Sequence, residues 1–298
     1  MNNPASPGFT QLASGIYLEG LAVDYRRDMA WYSDVVGGGL HGVNREGEVR
    51  TFNPERMWTG GVMLHESGAV LSSGPGGIMW NDPDSGGSGW LINQIDGEAI
   101  IGVNEMMPDG TGGMFFGTVD IDMIVRGETP RPTALYHLHA DGRVRCLVDG
   151  LGFTNGIMYD AQRQRFYLND TFTRTWVFDV NPDFSLSNQR PFLDKEDVDG
   201  MALDVEGNVW ITGFRSGFVT RITPDGEELA RFDTPAEAIT QIRFGGADMC
   251  DVYLTCVPGD GGDSLKEGEI PSEPNSILYR TRSDIPGMPL AGVRCQLS

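Results

Sequence analysis

The sequence predicts an all-β protein folded as a six-bladed β-propeller, and three observations lead to this prediction. A hairpin-like unit begins at residues 19, 60, 104, 155, 199 and 241, so successive units start 41 to 51 residues apart. Apolar and β-branched residues alternate around short turns, and no segment keeps a helical period. Glycine accounts for 41 of the 298 residues, about twice its average share. Four-stranded units at this spacing are typical of propeller blades.

Each unit starts at a polar residue or a glycine and continues as two strands joined by a turn. The turns have hairpin chemistry, as in Pro108-Asp109-Gly110 and Glu206-Gly207-Asn208. In chain order the six segments are 19–34, 60–74, 104–118, 155–170, 199–213 and 241–255.

Further strand pairs, over 135–148 and 218–232 for example, fill the gaps and bring each unit to about four strands. A β-sandwich is the alternative all-β fold, but it predicts no repeat of similar hairpins. Six units leave little room for anything else, so residues 1–298 are predicted to form a single propeller domain.

The charge balance excludes some classes of partner. Lys and Arg total 22 and Asp and Glu total 42, which gives a net charge of −20. Such a surface repels phosphate backbones and anionic lipids, so neither nucleic acid nor membrane binding is expected. The first residues show no basic and apolar leader, so a cytoplasmic protein is expected. We further expect the protein to be a monomer or a weak homo-oligomer. The four cysteines are expected to be buried, reduced thiols: Cys146, Cys250, Cys256 and Cys295.

The residues that begin the units are candidates for a metal site in the central channel. The innermost strand of each blade borders the channel, so equivalent positions converge near the axis. Carboxylates and carboxamides meeting there would be costly without a counter-ion. Oxygen ligands favour Ca²⁺ first, then Mg²⁺ or Mn²⁺, over Zn²⁺, which prefers nitrogen and sulfur. The six positions are Glu19, Gly60, Asn104, Asn155, Asp199 and Gln241.

These motifs resemble the senescence marker protein (regucalcin)/gluconolactonase family over about residues 12–297. The resemblance implies a six-bladed propeller with one divalent cation in its channel. Glu19 in Leu18-Glu19-Gly20 and Asn155 in Thr154-Asn155-Gly156 match two of the family's metal ligands. Asp199 in Val198-Asp199-Gly200-Met201 matches the third, which is also the family's presumed general base. Asn104 and Glu105 resemble a pair that faces the substrate.

The sequence departs from the family pattern at positions that affect the expected substrate. Gly102 stands where the family often has an arginine for hydroxyl-rich lactones, and Val198 replaces a proline. The acid after Asn104 is Glu105, and Met106 follows it as a further substrate-binding candidate. Gly102 together with the methionines Met63, Met79, Met106 and Met107 would make a roomier, more apolar pocket, but packing between blades is the first expectation for these methionines.

The resemblance implies hydrolysis of a lactone less sugar-like than gluconolactone. Asp199 would accept a proton from the attacking water, while Asn104 would hydrogen-bond the substrate and Glu105 would position it or a water molecule. Two alternatives stay open: a phosphotriester or aryl-ester hydrolase on the same metal site, and a non-catalytic propeller that binds calcium or a partner protein.

Two other features are interpreted as structural. His137 and His139 alternate along one strand and are expected on a solvated blade face, and no Ser-His-Asp triad is indicated. The acidic segment 259–274 is expected to be an exposed, flexible loop, with a lid over the channel as the alternative.

Overall fold

The computed structural model describes residues 8–121, 126, 128, 131–259, 265, 267 and 269–297. Within these ranges the strands form six four-stranded antiparallel sheets and one small hairpin. Each sheet contains one of the predicted hairpin units, so the all-β, six-bladed propeller is confirmed. The described residues include no helix that is both long and apolar enough to cross a bilayer.

The blades follow one another along the chain after an initial strand, β1 (Thr10–Gly15). Blade 1 contains β2 (Leu18–Asp24), β3 (Met29–Asp34), β4 (Leu40–Asn44) and β5 (Val49–Phe52). Blade 2 contains β6 (Val62–Leu64), β7 (Val70–Ser72), β8 (Ile78–Asn81) and β9 (Ser88–Ile92), and the hairpin β10 (Gln94–Ile95) and β11 (Glu98–Ala99) follows it. Blade 3 contains β12 (Val103–Pro108), β13 (Met114–Thr118), β14 (Thr133–Leu138) and β15 (Val144–Leu151).

The remaining blades repeat this arrangement. Blade 4 contains β16 (Thr154–Asp160), β17 (Arg165–Asp170), β18 (Arg174–Val180) and β19 (Leu186–Leu193). Blade 5 contains β20 (Val198–Leu203), β21 (Val209–Gly213), β22 (Phe218–Ile222) and β23 (Glu228–Asp233). Blade 6 takes three consecutive strands, β24 (Ala238–Gly245), β25 (Asp251–Val257) and β26 (Ser276–Arg282).

The ring closes because the first strand of the chain joins the last blade, which the sequence did not reveal. Strand β1 pairs antiparallel with β26 and becomes the outer strand of blade 6, with Thr10 opposite Arg280 and Gly15 opposite Ser276. The inner strands β2, β6, β12, β16, β20 and β24 contact one another in this order, and β24 also contacts β2. The six inner strands therefore surround a closed channel.

Most of the apolar core lies between the faces of adjacent blades. Phe115 of blade 3 packs on Phe166 of blade 4 with ring centroids 4.7 Å apart. Trp210 of blade 5 meets Phe244 of blade 6 edge-on at 5.2 Å. Because each blade covers the next, every inner strand is held from both sides.

Two expectations about individual side chains were wrong. His137 is fully buried, because its Nε2 pairs with Asp109 Oδ2 at 2.8 Å and Phe115 packs on its ring. Cys146 is exposed, whereas Cys256 and Cys295 are buried as expected, and all four cysteines are free thiols.

The acidic segment 259–274 lies only partly within the described residues. Residues 260–264, 266 and 268 of this segment lie outside the described residues. Among the others, Ile270 is half-exposed, and Leu265 lies against a pocket described below. Its role as a lid stays a prediction.

Candidate active site

β-Bulges in the inner strands set the direction of the residues that begin the units. In β2, Leu18 pairs with Asp34 and Leu21 pairs with Tyr32, so Glu19 and Gly20 together face the single residue Ser33. Strands β12, β16 and β20 contain the same two-against-one irregularity. A bulge inserts an extra residue and re-aims its side chain. This local geometry turns the polar unit-leading residues out of the ladder and toward one end of the channel.

The sixth unit begins one residue earlier than its sequence indicated. In β24 the irregularity falls between Ile239 and Gln241, so Thr240 occupies the extra position. The Thr240 hydroxyl donates to the Leu18 carbonyl oxygen at 2.7 Å. Gln241 therefore stands at the position that follows the unit-leading residue.

Glycine follows the unit-leading residue in most blades because the next inner strand lies very close. A Cβ atom on Gly20 would collide with the Gly60 carbonyl, one on Gly156 with the Asp199 carbonyl, and one on Gly200 with the Thr240 carbonyl. Blades 3 and 6 instead have Glu105 and Gln241 at this position.

Side chains of the second strands fix the backbone of the leading residues. Asn169 donates to the Asp199 carbonyl oxygen at 2.6 Å, and Thr255 donates to the Glu19 carbonyl oxygen at 2.7 Å. Ser33 makes the same contact with the Gly60 carbonyl at 2.6 Å. Sequence reasoning missed these residues, although a Ser, Thr or Asn recurs near the end of the second strand in several units.

Four predicted site residues meet in one cavity, here called the front pocket. Glu19, Asn104, Asn155 and Asp199 line it, and it contains about 820 Å³ of space with its open mouth included. Asn104 Nδ2 donates to the Thr154 carbonyl oxygen at 2.9 Å and lies 3.4 Å from Asn155 Oδ1. The amide nitrogen of Asn104 is thus engaged, which leaves its Oδ1 as the atom available to a ligand.

The two carboxyl groups of the front pocket have raised pKa values, because they are buried and lie near other carboxylates. Burial, together with the nearby charge of Glu105, raises the pKa of Glu19 to about 8. Burial also raises the pKa of Asp199, and the charges of Glu19, Glu105 and Asp197 add to the shift, while a hydrogen bond from Asn155 opposes it. The charge of Glu19 therefore disfavours the charged form of Asp199, and a cation bound beside both would relieve this repulsion.

One buried atom of this site lacks a protein partner. Asp199 Oδ1 accepts no hydrogen bond from any residue in the described ranges. An orphaned buried acceptor beside a second carboxylate and a carboxamide oxygen is a donor set that suits a hard divalent cation. The described residues contain no cluster of three or more His, Cys, Asp and Glu side chains at metal-binding distance. The fit therefore depends on the carboxamide of Asn155 as the third oxygen ligand.

Glu105 does not line the front pocket, contrary to the sequence-based prediction. Its carboxylate accepts a hydrogen bond from Gln241 Nε2 on the opposite blade, and its Oε2 lies 3.6 Å from Arg243 Nη2. Burial raises the pKa of Glu105, and the charge of Arg243 opposes the shift. Glu105, Gln241 and Arg243 together form a polar bridge across the channel, here called the channel floor.

Met63, Met106 and Met107 lie away from the front pocket, as packing between blades predicts. Met63 and Met106 line a second cavity, farther along the inner strands and beyond the channel floor. Met106 is buried in the core of blades 2 and 3, and Met107 is buried between blades 3 and 4. Met106 is therefore a packing residue, because the strand alternation after the bulge turns it away from the front pocket.

The apolar walls of the front pocket come instead from loops. Gly102 does line the pocket, and a Cβ there would lie 2.9 Å from the Val119 carbonyl oxygen. Trp58, Phe153, Phe172 and Phe214 supply aromatic side chains. Trp58 and Phe172 have left-handed backbones, with φ of 60° and 71°, which costs on the order of 1–3 kcal/mol for each bulky residue. No periodicity marks loop residues, so sequence reasoning did not find them.

Comparison with known proteins places this geometry in a family. The profile of the SMP-30/Gluconolactonase/LRE-like region matches residues 18–257. A pentonolactonase from Haloferax volcanii is 29% identical over 251 residues, which are 80% of this chain and 81% of that protein.

Solved structures share the fold at low sequence identity. A luciferin-regenerating enzyme superposes with a TM-score of 0.83 at 22% identity, over 97% of this chain and all of that one. A calcium-binding protein, regucalcin, from Agrobacterium tumefaciens gives 0.79 at 18% identity, over 98% of each chain. With a profile match across most of the propeller, the chain belongs to the SMP-30/gluconolactonase/LRE-like family.

Proposed function

We propose that the protein is a metal-dependent hydrolase that opens a lactone to its hydroxy acid. The observation that carries the proposal is the meeting of Glu19, Asn155 and Asp199 in the front pocket, with Asp199 Oδ1 unpartnered among the described residues. The similarity to a pentonolactonase supports a lactone as the bond attacked.

Three side chains would hold the cation. Glu19 and Asp199 supply carboxylate oxygens, and Asn155 supplies a carboxamide oxygen. An all-oxygen set favours Ca²⁺, with Mg²⁺ and Mn²⁺ as alternatives, and the similarity to a calcium-binding regucalcin supports the same choice. When bound, the cation supplies Lewis-acid stabilisation for negative charge that develops on the substrate carbonyl oxygen.

Asp199 would transfer the proton, and Asn104 would bind the substrate or water. Asp199 accepts a proton from water as the water oxygen bonds to the acyl carbon. The ring C–O bond breaks, and the proton passes from Asp199 to the leaving alkoxide, so no covalent enzyme intermediate is needed. Asn104 would accept a hydrogen bond from a substrate hydroxyl or from water through Oδ1, because its nitrogen is engaged by Thr154 and Asn155.

The substrate is proposed to be less hydroxyl-rich than an aldonolactone. Gly102 offers no side chain to the pocket, and the close Val119 carbonyl leaves little space for one. A lactone with few hydroxyl groups fits both observations.

Removing the metal is expected to abolish hydrolysis and restoring it to recover the activity. The purified protein would be analysed for bound metal, dialysed against a chelator, and tested with Ca²⁺, Mg²⁺, Mn²⁺ and Zn²⁺. Proton release would be followed on sugar lactones, non-sugar lactones, aryl esters and phosphotriesters.

Hydrolysis of phosphotriesters or aryl esters in preference to every lactone would replace the proposal with the alternative hydrolase. Bound metal without hydrolysis of any compound would favour a non-catalytic, calcium-binding propeller. Full lactonase activity after complete metal removal would contradict the proposed cation.

A further inference from the structure

Four of the aromatic residues that line the front pocket come from separate loops that meet above its polar base, and Tyr17 is a fifth lining residue. Trp58 lies between blades 1 and 2, and Phe153 lies between blades 3 and 4. Phe172 and Phe214 each follow the second strand of their blade. We refer to these four residues as the aromatic wall. It faces the same space as Glu19 and Asp199.

Three rings of the aromatic wall contact one another in a row. Phe172 lies between Phe153 and Phe214, with ring centroids 6.1 Å and 5.7 Å away. Phe172 is nevertheless 42% exposed, and it lines the front pocket. Aromatic rings at these separations interact edge to face and offer flat apolar surface to a further ring.

Backbone hydrogen bonds hold two wall residues in a conformation that glycine would adopt more easily. The Trp58 amide donates to the Val35 carbonyl at 2.6 Å, and the Phe172 amide donates to the Glu196 carbonyl at 2.8 Å. Both residues have left-handed φ. The fold therefore keeps a bulky ring at two positions where a smaller residue would relieve strain.

Two polar groups near the wall already donate hydrogen bonds to backbone carbonyl oxygens. The Thr171 hydroxyl donates to the Val198 carbonyl at 2.8 Å, and the nitrogen of Asn104 is held by its neighbours. Gly102 adds no polar side chain. The acceptors left open, Asn104 Oδ1 and Asp199 Oδ1, lie at the base of the pocket. A substrate with hydroxyl groups along the wall would therefore lose hydrogen bonds to water there without replacing them.

We propose that the aromatic wall selects neutral lactones that bear an aryl substituent, with the aryl ring packed against Phe172 and the lactone carbonyl directed to the base of the pocket. This inference rests on the proposed lactonase function for its chemistry. The recognition of the aryl group rests only on the wall, so binding and hydrolysis can be tested separately.

The test compares γ-butyrolactones that are unsubstituted, phenyl-substituted, hexyl-substituted or polyhydroxylated. The phenyl compound is expected to have the highest kcat/KM. Phe172→Gly, which suits the left-handed backbone, is expected to lower the phenyl-to-unsubstituted kcat/KM ratio about tenfold. Phe184→Gly is the matched control, because Phe184 also has a left-handed φ of 61° but packs on His137 between blades. That variant is expected to keep the ratio.

A binding measurement makes the outcome independent of catalysis. A phenyl-substituted tetrahydrofuran, which cannot be hydrolysed, is titrated while the change in tryptophan fluorescence is followed, with Trp58→Phe identifying the signal. Weaker binding to Phe172→Gly than to Phe184→Gly supports the aromatic wall, even if no lactone is hydrolysed and the proposed function fails. Preferred hydrolysis of the hexyl or polyhydroxylated lactone, or equal binding by both variants, overturns the inference.

Discussion

Replacing Asp199 with asparagine is expected to lower kcat/KM for the best lactone by roughly 10³-fold, the range found when a general base is lost. The Asp199 carboxylate is buried, and its Oδ1 accepts no hydrogen bond within the described ranges. One carboxylate oxygen would hold the cation while the other takes the proton of water. Asparagine keeps the shape and one oxygen but has much lower basicity. Initial rates by proton release, with metal content measured on the same sample, check this expectation.

The control for this variant is Asp225→Asn. Asp225 is a surface acid whose side chain is 84% exposed and pairs with Arg165, so its replacement removes the same charge far from the front pocket. Asp225→Asn should retain full activity. An Asp199→Asn protein that keeps its metal and hydrolyses lactones at the original rate would show that another group is the base.

Replacing Arg243 with methionine is expected to lower the free energy of unfolding by about 3–5 kcal/mol, as when one partner of a buried ion pair is removed. Arg243 is buried, and its Nη1 donates to the carbonyl oxygens of Met201 and Ile242, both at 2.9 Å. Without the guanidinium, Glu105 remains buried without its cationic neighbour. Urea denaturation measures the loss.

The double variant Arg243→Met with Glu105→Gln separates charge from packing. Removing both charges should recover a large part of the lost stability, because the uncompensated carboxylate is then absent. Arg231→Met is the control, since Arg231 is exposed and pairs with Glu228 at the surface; its urea denaturation midpoint should stay close to that of the unmodified protein. A double variant no more stable than Arg243→Met alone would show that Glu105 is not the group that Arg243 compensates.

The propeller fold and most of the polar residues at the base of the pocket could be predicted from the sequence, because one hairpin unit is repeated along the chain. A hairpin repeated six times fixes which residue begins each inner strand, and symmetry brings these residues together. Glu19, Asn155 and Asp199 can be identified in this way from the sequence. Their catalytic and metal-binding roles remain proposals.

The errors have a common cause in contacts between blades. Glu105 points to the channel floor because Gln241 and Arg243 lie on the opposite blade, which no local pattern indicates. The bulge in β24 moved the sixth unit by one residue, since Thr240 rather than Gln241 is the inserted residue. Trp58 and Phe172 lie in loops and follow no strand period. They reach the same pocket only when the blades have closed into a ring.

The pairing of β1 with β26 has a consequence for the order of folding. On the ribosome, β1 emerges early but has to wait until Ser276–Arg282 has been synthesised before it finds its partner. Until then β1 is an unpaired strand, and once β26 has been made its outer edge stays open to a strand from another molecule until β1 pairs with it. Contacts so distant in sequence form slowly. Closure of the ring is thus the stage at which two nascent chains would exchange their first strands.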